Sequence, residues 1–173
     1  MAGTIRRFTI EYIEAEDRVR LTGEVAENAT PVVIWITQRL ACRLIPVLLQ
    51  WLEKQTASPL QSIASQSATD AMHSFAQQAA RSELKPQPPV RSESGGPMWL
   101  AGSVEAVMSD KRASLTFRGD SDQSANLALL PIELRQWLFI LYKAWTKAQW
   151  PMALWPKWIE SEKAPDQQHV TLH

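Results

Sequence analysis

Residues 18–36, RVRLTGEVAENATPVVIWI, and residues 112–130, RASLTFRGDSDQSANLALL, decide how this chain is expected to fold. Each stretch begins with alternating polar and apolar residues, as at Val19 and Leu21. A period of two is typical of a strand with one buried face. A polar loop follows in each stretch. The apolar run after it predicts another strand, which at 32–36 is apolar enough to be covered on both faces.

The likeness between the two stretches extends along the chain. A shift of 94 residues places 8–54 on 102–148 without a gap. Identical residues then stand at Glu11/Glu105, Arg18/Arg112, Leu21/Leu115, Thr22/Thr116, Leu40/Leu134, Leu44/Leu138 and Trp51/Trp145. Apolar positions match more widely, among them Val33/Leu127 and Trp35/Leu129, as equivalent core faces require. Two β-β-β-α units are therefore predicted, related either by internal duplication or by similar patterning without common origin.

The predicted fold class is α+β, with antiparallel sheets packed against helices in a single domain at 1–160. The units are expected at 5–55 and 98–150, with a helix at 58–83, a flexible linker at 84–97 and a tail at 161–173. Within the units, 5–13 and 98–108 are each predicted to form a first strand.

Three helices follow from capping and periodicity. Thr37 is a suitable N-cap for the first helix, in which Pro46 predicts a kink or a break. Ser58 to Gln61 form a capping box for the middle helix. Its apolar face is Leu60, Ile63, Ala64, Ala71, Met72, Phe75 and Ala79. Pro131 suits the first position of the last helix, where apolar residues recur from Leu134 to Trp145 at helical spacing.

Composition narrows the functional classes. Lysine plus arginine and aspartate plus glutamate both number 18, so the chain is formally neutral. Neutrality argues against a nucleic-acid binder that gains its affinity from phosphate neutralisation. The lone Cys42 excludes an intramolecular disulfide and a multi-cysteine zinc site, and fits a reducing, cytoplasmic setting. Because Cys42 follows Ala41 on an apolar helix, we expect a buried thiol.

Membrane and targeting segments are not expected. Residues 1–13 lack the apolar run of a secretory signal. The apolar stretch 32–52 is long enough to span a bilayer, but it carries Arg39, Arg43 and Pro46. Each arginine near the bilayer centre costs about 2.5 to 3.5 kcal/mol, so a strand and a helix in a protein core are favoured.

No catalytic residue, metal site or cofactor is predicted. Histidines stand at 73, 169 and 173 without a nucleophile or carboxylate at a recognisable spacing, so structural or incidental roles are expected. Residues 86–91 fit the pattern PxxPxR, which gives two alternatives: an ordinary proline-rich linker or a polyproline ligand for a partner.

Tryptophan is the most unusual component, with eight in 173 residues. Trp150, Trp155 and Trp158 come after the last helix is expected to end, and prolines follow the first two. Three explanations are open for these rings. They pack back onto the domain, they anchor a protein interface or a homodimer, or they lie in a membrane surface. The interface hypothesis makes them the candidate interaction residues.

A second candidate site lies at the seam between the units. Glu11 and Arg18 align with Glu105 and Arg112, and a cleft between the units would gather these four charges around a small ligand or substrate. Solvated strand-edge charges are the alternative.

The order of three strands, a helix–turn–helix, further strands and a final helix resembles the head domain of one scaffold superfamily. That superfamily includes the DNA-end-joining scaffold and the centriolar cartwheel protein. The resemblance covers residues 5 to about 149, and 18–35, 38–83 and 99–130 carry it. It implies a non-enzymatic assembly module and transfers no functional residue. The family's long coiled coil has no counterpart, because the helical pattern ends near Trp150. The predicted function is therefore a protein-interaction or scaffold module that self-associates.

Overall fold

A computed structural model describes residues 3–25, 29–56, 65–92 and 95–160 of the chain. The strands are β1 (Gly3–Thr4), β2 (Arg7–Ile13), β3 (Arg18–Glu24), β4 (Val32–Ile36), β5 (Met98–Leu100), β6 (Ser103–Met108), β7 (Ala113–Arg118) and β8 (Ser124–Leu129). The helices are α1 (Gln38–Thr56), α2 (Gln66–Ser82) and α3 (Pro131–Lys147). The mixed α+β class predicted from the sequence is confirmed.

The strands form two four-stranded sheets. The N-sheet has the order β2-β3-β4-β5, and the C-sheet has the order β1-β8-β7-β6. In each sheet three consecutive strands pair antiparallel, as the alternating pattern predicts. The fourth strand of each pairs parallel to its neighbour, so the sheets are not purely antiparallel.

These parallel strands are exchanged between the two units. β1 precedes the first unit in sequence but pairs with β8 of the second, and β5 precedes the second unit but pairs with β4 of the first. The single strand predicted at 98–108 is therefore wrong, because it is two strands, β5 and β6, in different sheets. The first strand predicted at 5–13 is present as β2, which begins at Arg7. The chain crosses from one sheet to the other at residues 5–6 and 101–102.

The helices also join the units. α1 contacts β6 and α3 contacts β2, so each helix lies partly on the other unit's first antiparallel strand. At the end of α1, Trp51 Nε1 donates a hydrogen bond to the Ser109 carbonyl oxygen in the β6–β7 turn over 3.1 Å. Thr37 caps α1 as predicted, since its Oγ1 accepts from Leu40 N. Pro46 lies on the exposed side of an unbroken helix, so the predicted break is absent.

The predicted shift of 94 residues between the units holds for strands β3 and β7, but from the next strand onward the structural shift is 93 residues. Leu21 and Leu115 are 94 apart, but their cross-strand partners Ile34 and Leu127 are 93 apart. Adding 93 to each buried position of α1 likewise gives a buried position of α3. The matches of Val33 with Leu127, Trp35 with Leu129 and Trp51 with Trp145 are therefore not structural equivalences. With these two shifts, Thr4 corresponds to Met98 and Val33 corresponds to Asn126. The parallel pair Thr4–Asn126 in the C-sheet is then equivalent to the parallel pair Met98–Val33 in the N-sheet. Duplication stays a prediction.

The face that α2 buries differs from the predicted one. His73, Gln77 and Ala80 are buried, whereas Phe75 and Met72 lie largely on the surface. The helix begins after the cap Ser65, and the capping box at 58–61 lies outside the described residues. Polar residues face inward because they bond to α3, which no periodicity rule anticipates.

Residues 83–92, which we call the strap, lie against the N-sheet. Val90 is buried, its backbone N–H donates to Thr9 Oγ1 over 2.8 Å, and Arg7 Nη2 donates to the Pro88 carbonyl oxygen over 3.0 Å. The prediction of a flexible linker from 84 onward is therefore wrong for this part. Its prolines fit an extended path that offers carbonyl oxygens to β2.

Ile5 is expected to hold the strand exchange together. It is fully packed at the first crossing, where its side chain lies over Gly23, and a Cβ at Gly23 would approach Ile5 Cδ1 to 2.9 Å. Ile5→Ala should lower the free energy of unfolding by about 2 to 5 kcal/mol, as cavity-forming core truncations do. Chemical denaturation measures the change.

The adjacent Arg6→Ala is the matched control, because Arg6 is exposed at the same crossing. Equal stability of the two variants would contradict the role assigned to Ile5.

Candidate functional site

The three C-terminal tryptophans are buried in the folded chain. Trp150, Trp155 and Trp158 are 6%, 9% and 4% exposed. Of the three explanations open from the sequence, packing back onto the domain describes this geometry. The rings are not displayed as surface anchors, which removes the observation that motivated an interface or a membrane surface at these residues.

The backbone conformation after α3 reverses the direction of the chain. Gln149 adopts a positive φ of 55°, and the Trp150 N–H bonds to the Trp145 carbonyl oxygen, an arrangement that commonly ends helices. Two short 3-10 turns follow at Met152–Leu154 and Lys157–Ile159. The prolines before each turn fix an extended approach, so the aromatic residues return to the body of the fold.

Trp145 is the centre of an aromatic cluster. Its ring makes edge-to-face contacts with Trp150 at 4.9 Å and with Trp155 at 5.8 Å between centroids. Each outer ring has one further edge-to-face partner: Tyr12 for Trp150 and Tyr142 for Trp155. Such pairs contribute about 0.5 to 1.5 kcal/mol each beyond the area they bury.

A carboxylate in the first unit ties this cluster to the β2–β3 turn. Asp17 Oδ1 accepts from Trp150 Nε1 over 3.1 Å and from the Tyr12 hydroxyl over 2.8 Å. The bond to Asp17 raises the pKa of Tyr12 above its usual value. Asp17 itself has a φ of 47°, a left-handed conformation that aspartate tolerates better than most residues. The second unit thus bonds to the first unit's turn, as Trp51 of the first bonds to the second unit's turn.

A second buried cluster is polar. Arg135 is only 4% exposed, and its Nη2 lies 3.2 Å from Thr56 Oγ1 and 3.1 Å from His73 Nδ1. Gln77 Nε2 donates to the Arg135 carbonyl oxygen over 3.0 Å. The ring of Trp158 covers this polar cluster, stacked on His73 at 5.1 Å and 5.2 Å from the Arg135 guanidinium.

The polar cluster holds an arginine without a carboxylate partner among the residues that the structure describes. Within the described part of the chain, Arg135 Nη1 and Gln77 Oε1 are buried there without a hydrogen-bond partner. Burial lowers the pKa of Arg135 to about 10. Burial, and then the Arg135 charge, lowers the pKa of His73, while Asp70 opposes this shift. The sequence predicts a structural or incidental role for His73, and no spacing signal links it to Arg135 across 62 residues.

The predicted charged quartet is divided between the sheets. Glu11 accepts from Arg20 over 2.8 Å, and Glu105 accepts from Arg118 over 2.9 Å. Arg18 lies 3.6 Å from Glu16. Arg112 is exposed at the β6–β7 turn. The four predicted charges are therefore not gathered in one cleft. The arginines that pair with Glu11 and Glu105 are Arg20 and Arg118, which the prediction did not name.

The seam between the units has a cavity with a different lining. Its volume is about 540 Å³, and it is bounded by residues 5–9, the strap, residues 127–129 and one side of α3. Phe8 and Ile140 contribute apolar surface. The charged side chains in the lining are Arg6, Arg7 and Lys85, which are basic, and Glu83 and Glu133, which are acidic. None of the predicted quartet lines it.

Three further predictions concern the thiol of Cys42, membrane-spanning helices and metal sites. Cys42 is exposed rather than buried, because it lies beside the stripe of Ala41, Leu44 and Ile45 and not on it. Within the described ranges, no helix is long and apolar enough to cross a membrane, and no three His, Cys, Asp or Glu residues lie together as metal ligands would.

No family model, curated protein sequence or solved structure matches this chain. The resemblance to the scaffold superfamily in the order of elements therefore stays a prediction.

Trp150 and Trp155 allow a matched test of the bond to Asp17. Each ring has two edge-to-face partners, but Trp155 Nε1 has no hydrogen-bond partner among the described residues. Trp150→Phe loses a bond to a carboxylate, whereas Trp155→Phe removes an unpaired buried donor. Trp150→Phe should therefore lower the free energy of unfolding by about 2 kcal/mol more than Trp155→Phe.

Urea denaturation of both variants measures this difference. Equal losses would mean that ring packing, and not the bond across the units, holds the C-terminal segment.

Proposed function

We propose that this chain is a non-enzymatic interaction module that self-associates through the outer face of the N-sheet and its β5 edge, which pairs with no further strand among the described residues. The observation that carries the proposal is an exposed apolar strip on a sheet edge. It consists of Trp35, Met98 and Leu100 and is called the β5 strip below.

The register places these residues on one face. Leu100 pairs with Trp35, which pairs with Arg20, and Met98 pairs with Val33. Paired residues point to the same side of a sheet, opposite to the buried Trp99. Met98 is 56% and Leu100 43% exposed, and Trp35 is partly exposed beside them.

One half of this outer face is covered by the strap and the other half is exposed to solvent. Toward β2, the strap lies over polar residues, and Val90 closes that half. Toward β5, the surface becomes apolar, and Met98 and Leu100 stay in contact with solvent. Adjacent exposed apolar residues are typical of interaction sites, whereas scattered ones are not.

The edge of β5 also offers backbone groups. The Pro97 carbonyl oxygen and the Ala101 N–H both bond inward to β4. Because backbone groups alternate in direction along a parallel strand, those of Met98 and Leu100 face away from β4. An extended segment can pair there by strand addition.

A second copy is the partner that this surface fits best. Two β5 strips related by a two-fold axis, the commonest symmetry of homodimers, would bury Met98 and Leu100 against each other and extend the sheet. The chain has no net charge, so two copies do not repel each other at long range.

The seam cavity supports a second candidate function, the binding of a small ligand. Its apolar wall, and three basic side chains against the two carboxylates of Glu83 and Glu133, suit an amphipathic anion. The probe 8-anilinonaphthalene-1-sulfonate has this chemistry. We expect its fluorescence to rise with the wild type, and to rise several-fold less with Ile140→Trp, which narrows the cavity.

Leu100→Glu serves as the control for this probe, because it leaves the cavity unchanged while altering the exposed apolar strip. A dye signal that falls with Leu100→Glu and not with Ile140→Trp would contradict binding in the cavity.

For self-association, Leu100→Glu is the principal variant. A carboxylate on each β5 strip would have to be desolvated next to its copy, so the dimer dissociation constant should rise at least tenfold. Sedimentation velocity over a concentration series measures it. Val107→Glu is the matched control, since Val107 is an exposed valine on edge strand β6 among polar neighbours.

A wild type that stays monomeric at high concentration, or equal effects of the two variants, would contradict self-association through the β5 strip.

A further inference from the structure

His73 occupies an unusual position between a cation and an aromatic ring. One side of its ring stacks on Trp158, with an interplanar angle of 20°. Its Nδ1 lies 3.1 Å from Arg135 Nη2, which can only donate, so Nδ1 accepts and the neutral ring carries its proton on Nε2. The stack therefore contains histidine in one tautomer of its neutral form.

Protonation of His73 would disrupt this arrangement in two ways. A proton on Nδ1 would replace the acceptor with a donor that faces the guanidinium. It would also place a second positive charge about 3 Å from the first, inside a protein interior of low dielectric constant. Both effects act on the same contact.

Among the residues that the structure describes, the groups around His73 offer little compensation for a second positive charge. From α3 the facing charge is the Arg135 cation, from the end of α1 the neighbour is the neutral Thr56, and from the turn Lys157–Ile159 it is the neutral Trp158 ring. On α2 itself Asp70 is the one carboxylate that favours the charged form, and its effect is smaller than those of burial and Arg135.

Arg135 keeps its charge while His73 titrates. Even with the pKa lowered to about 10, the guanidinium is cationic throughout the range in which histidine takes up a proton. The repulsion is therefore present whenever His73 is protonated.

We propose that the stack of His73 on Trp158 is an acid-sensitive latch, in which protonation of His73 beside Arg135 releases the turn Lys157–Ile159 from α2. Opening lets water reach both cations. It also uncovers Trp158 and Ile159, which are buried in the closed form, so that acidification creates an apolar surface.

The rest of the C-terminal segment stays in place. Trp150 is bonded to Asp17 and packed on Trp145, and Trp155 is packed on Trp145 and Tyr142. None of these contacts involves His73. The latch is thus confined to the last turn that the structure describes.

The direction of the pH effect follows from linkage. The pKa of His73 is lowered in the closed form, so the open form binds more protons below the ordinary histidine value of about 6.5. The closed form is fully favoured above that value and loses stability as the pH falls toward the lowered pKa. With one proton involved, the ratio of open to closed molecules rises about tenfold per pH unit in this window.

The test follows Trp158 in the full chain labelled with 5-fluorotryptophan. Loss of one ¹⁹F resonance in Trp158→Phe identifies the signal. We expect this resonance to move toward the position of solvent-exposed fluorotryptophan between pH 7.5 and 5, with the Trp150 and Trp155 resonances unchanged. In His73→Asn, which keeps an acceptor near the Nδ1 position but does not titrate, the Trp158 resonance should not move.

His169→Asn is the matched control, because it removes a histidine of the same chain and should leave the wild-type response intact. The wild type also gives a test that needs no variant, since the midpoint for Trp158 must coincide with the titration of the His73 ring in the same sample. A stationary Trp158 resonance, different midpoints, or an equal movement in His73→Asn would each overturn the proposal.

Discussion

The reciprocal exchange of two short strands is the constraint on which the rest of this structure depends. β1 and β5 each pair parallel to a strand of the other unit, so neither sheet has its fourth strand without the other half of the chain. Parallel pairing needs a long connection. Between β4 and β5 the connection contains α1, α2 and the strap, and between β1 and β8 it contains every element from β2 to β7. Ile5 and Ala101 are the buried side chains at the two crossings. The packing of each helix on the other unit completes the same arrangement.

The strand exchange also explains why the C-terminal tryptophans Trp150, Trp155 and Trp158 are buried in the fold. Once α3 lies on β2, its end is close to the β2–β3 turn, where Asp17 and Tyr12 receive Trp150. Trp51 makes the corresponding contact at the β6–β7 turn. In both places an indole N–H bonds to a turn of the other unit. An amphipathic ring with a polar N–H suits such a position, because it buries apolar area and satisfies its donor at once.

The surface that remains for function is therefore set by what the exchange leaves uncovered. β5 is the last strand of the N-sheet and its outward residues are apolar, which underlies the proposed self-association. The strap covers the polar half of the same face and closes the seam cavity. Where α2 packs on α3, α2 buries few apolar side chains, and the polar cluster of His73, Gln77 and Arg135 makes the contact between the two helices. Polar packing of this kind depends on protonation in a way that apolar packing does not, which underlies the proposed latch.

Short-range pattern in the sequence by itself determined the class of the fold, the strands β3, β4, β7 and β8, the helices α1 and α3, and their buried stripes. Alternation and helical periodicity report which face of each element is apolar, and those faces are buried in any compact arrangement. Only the tertiary structure decided the strand exchange, the one-residue offset between the units and the burial of Trp150, Trp155 and Trp158. It alone placed His73 beside Arg135 and the strap on β2. These features depend on contacts between residues far apart in sequence, such as Asp17 with Trp150 or Thr9 with Val90. Local pattern carries no information about partners at that distance, because an apolar or polar side chain has the same periodicity whichever element it meets.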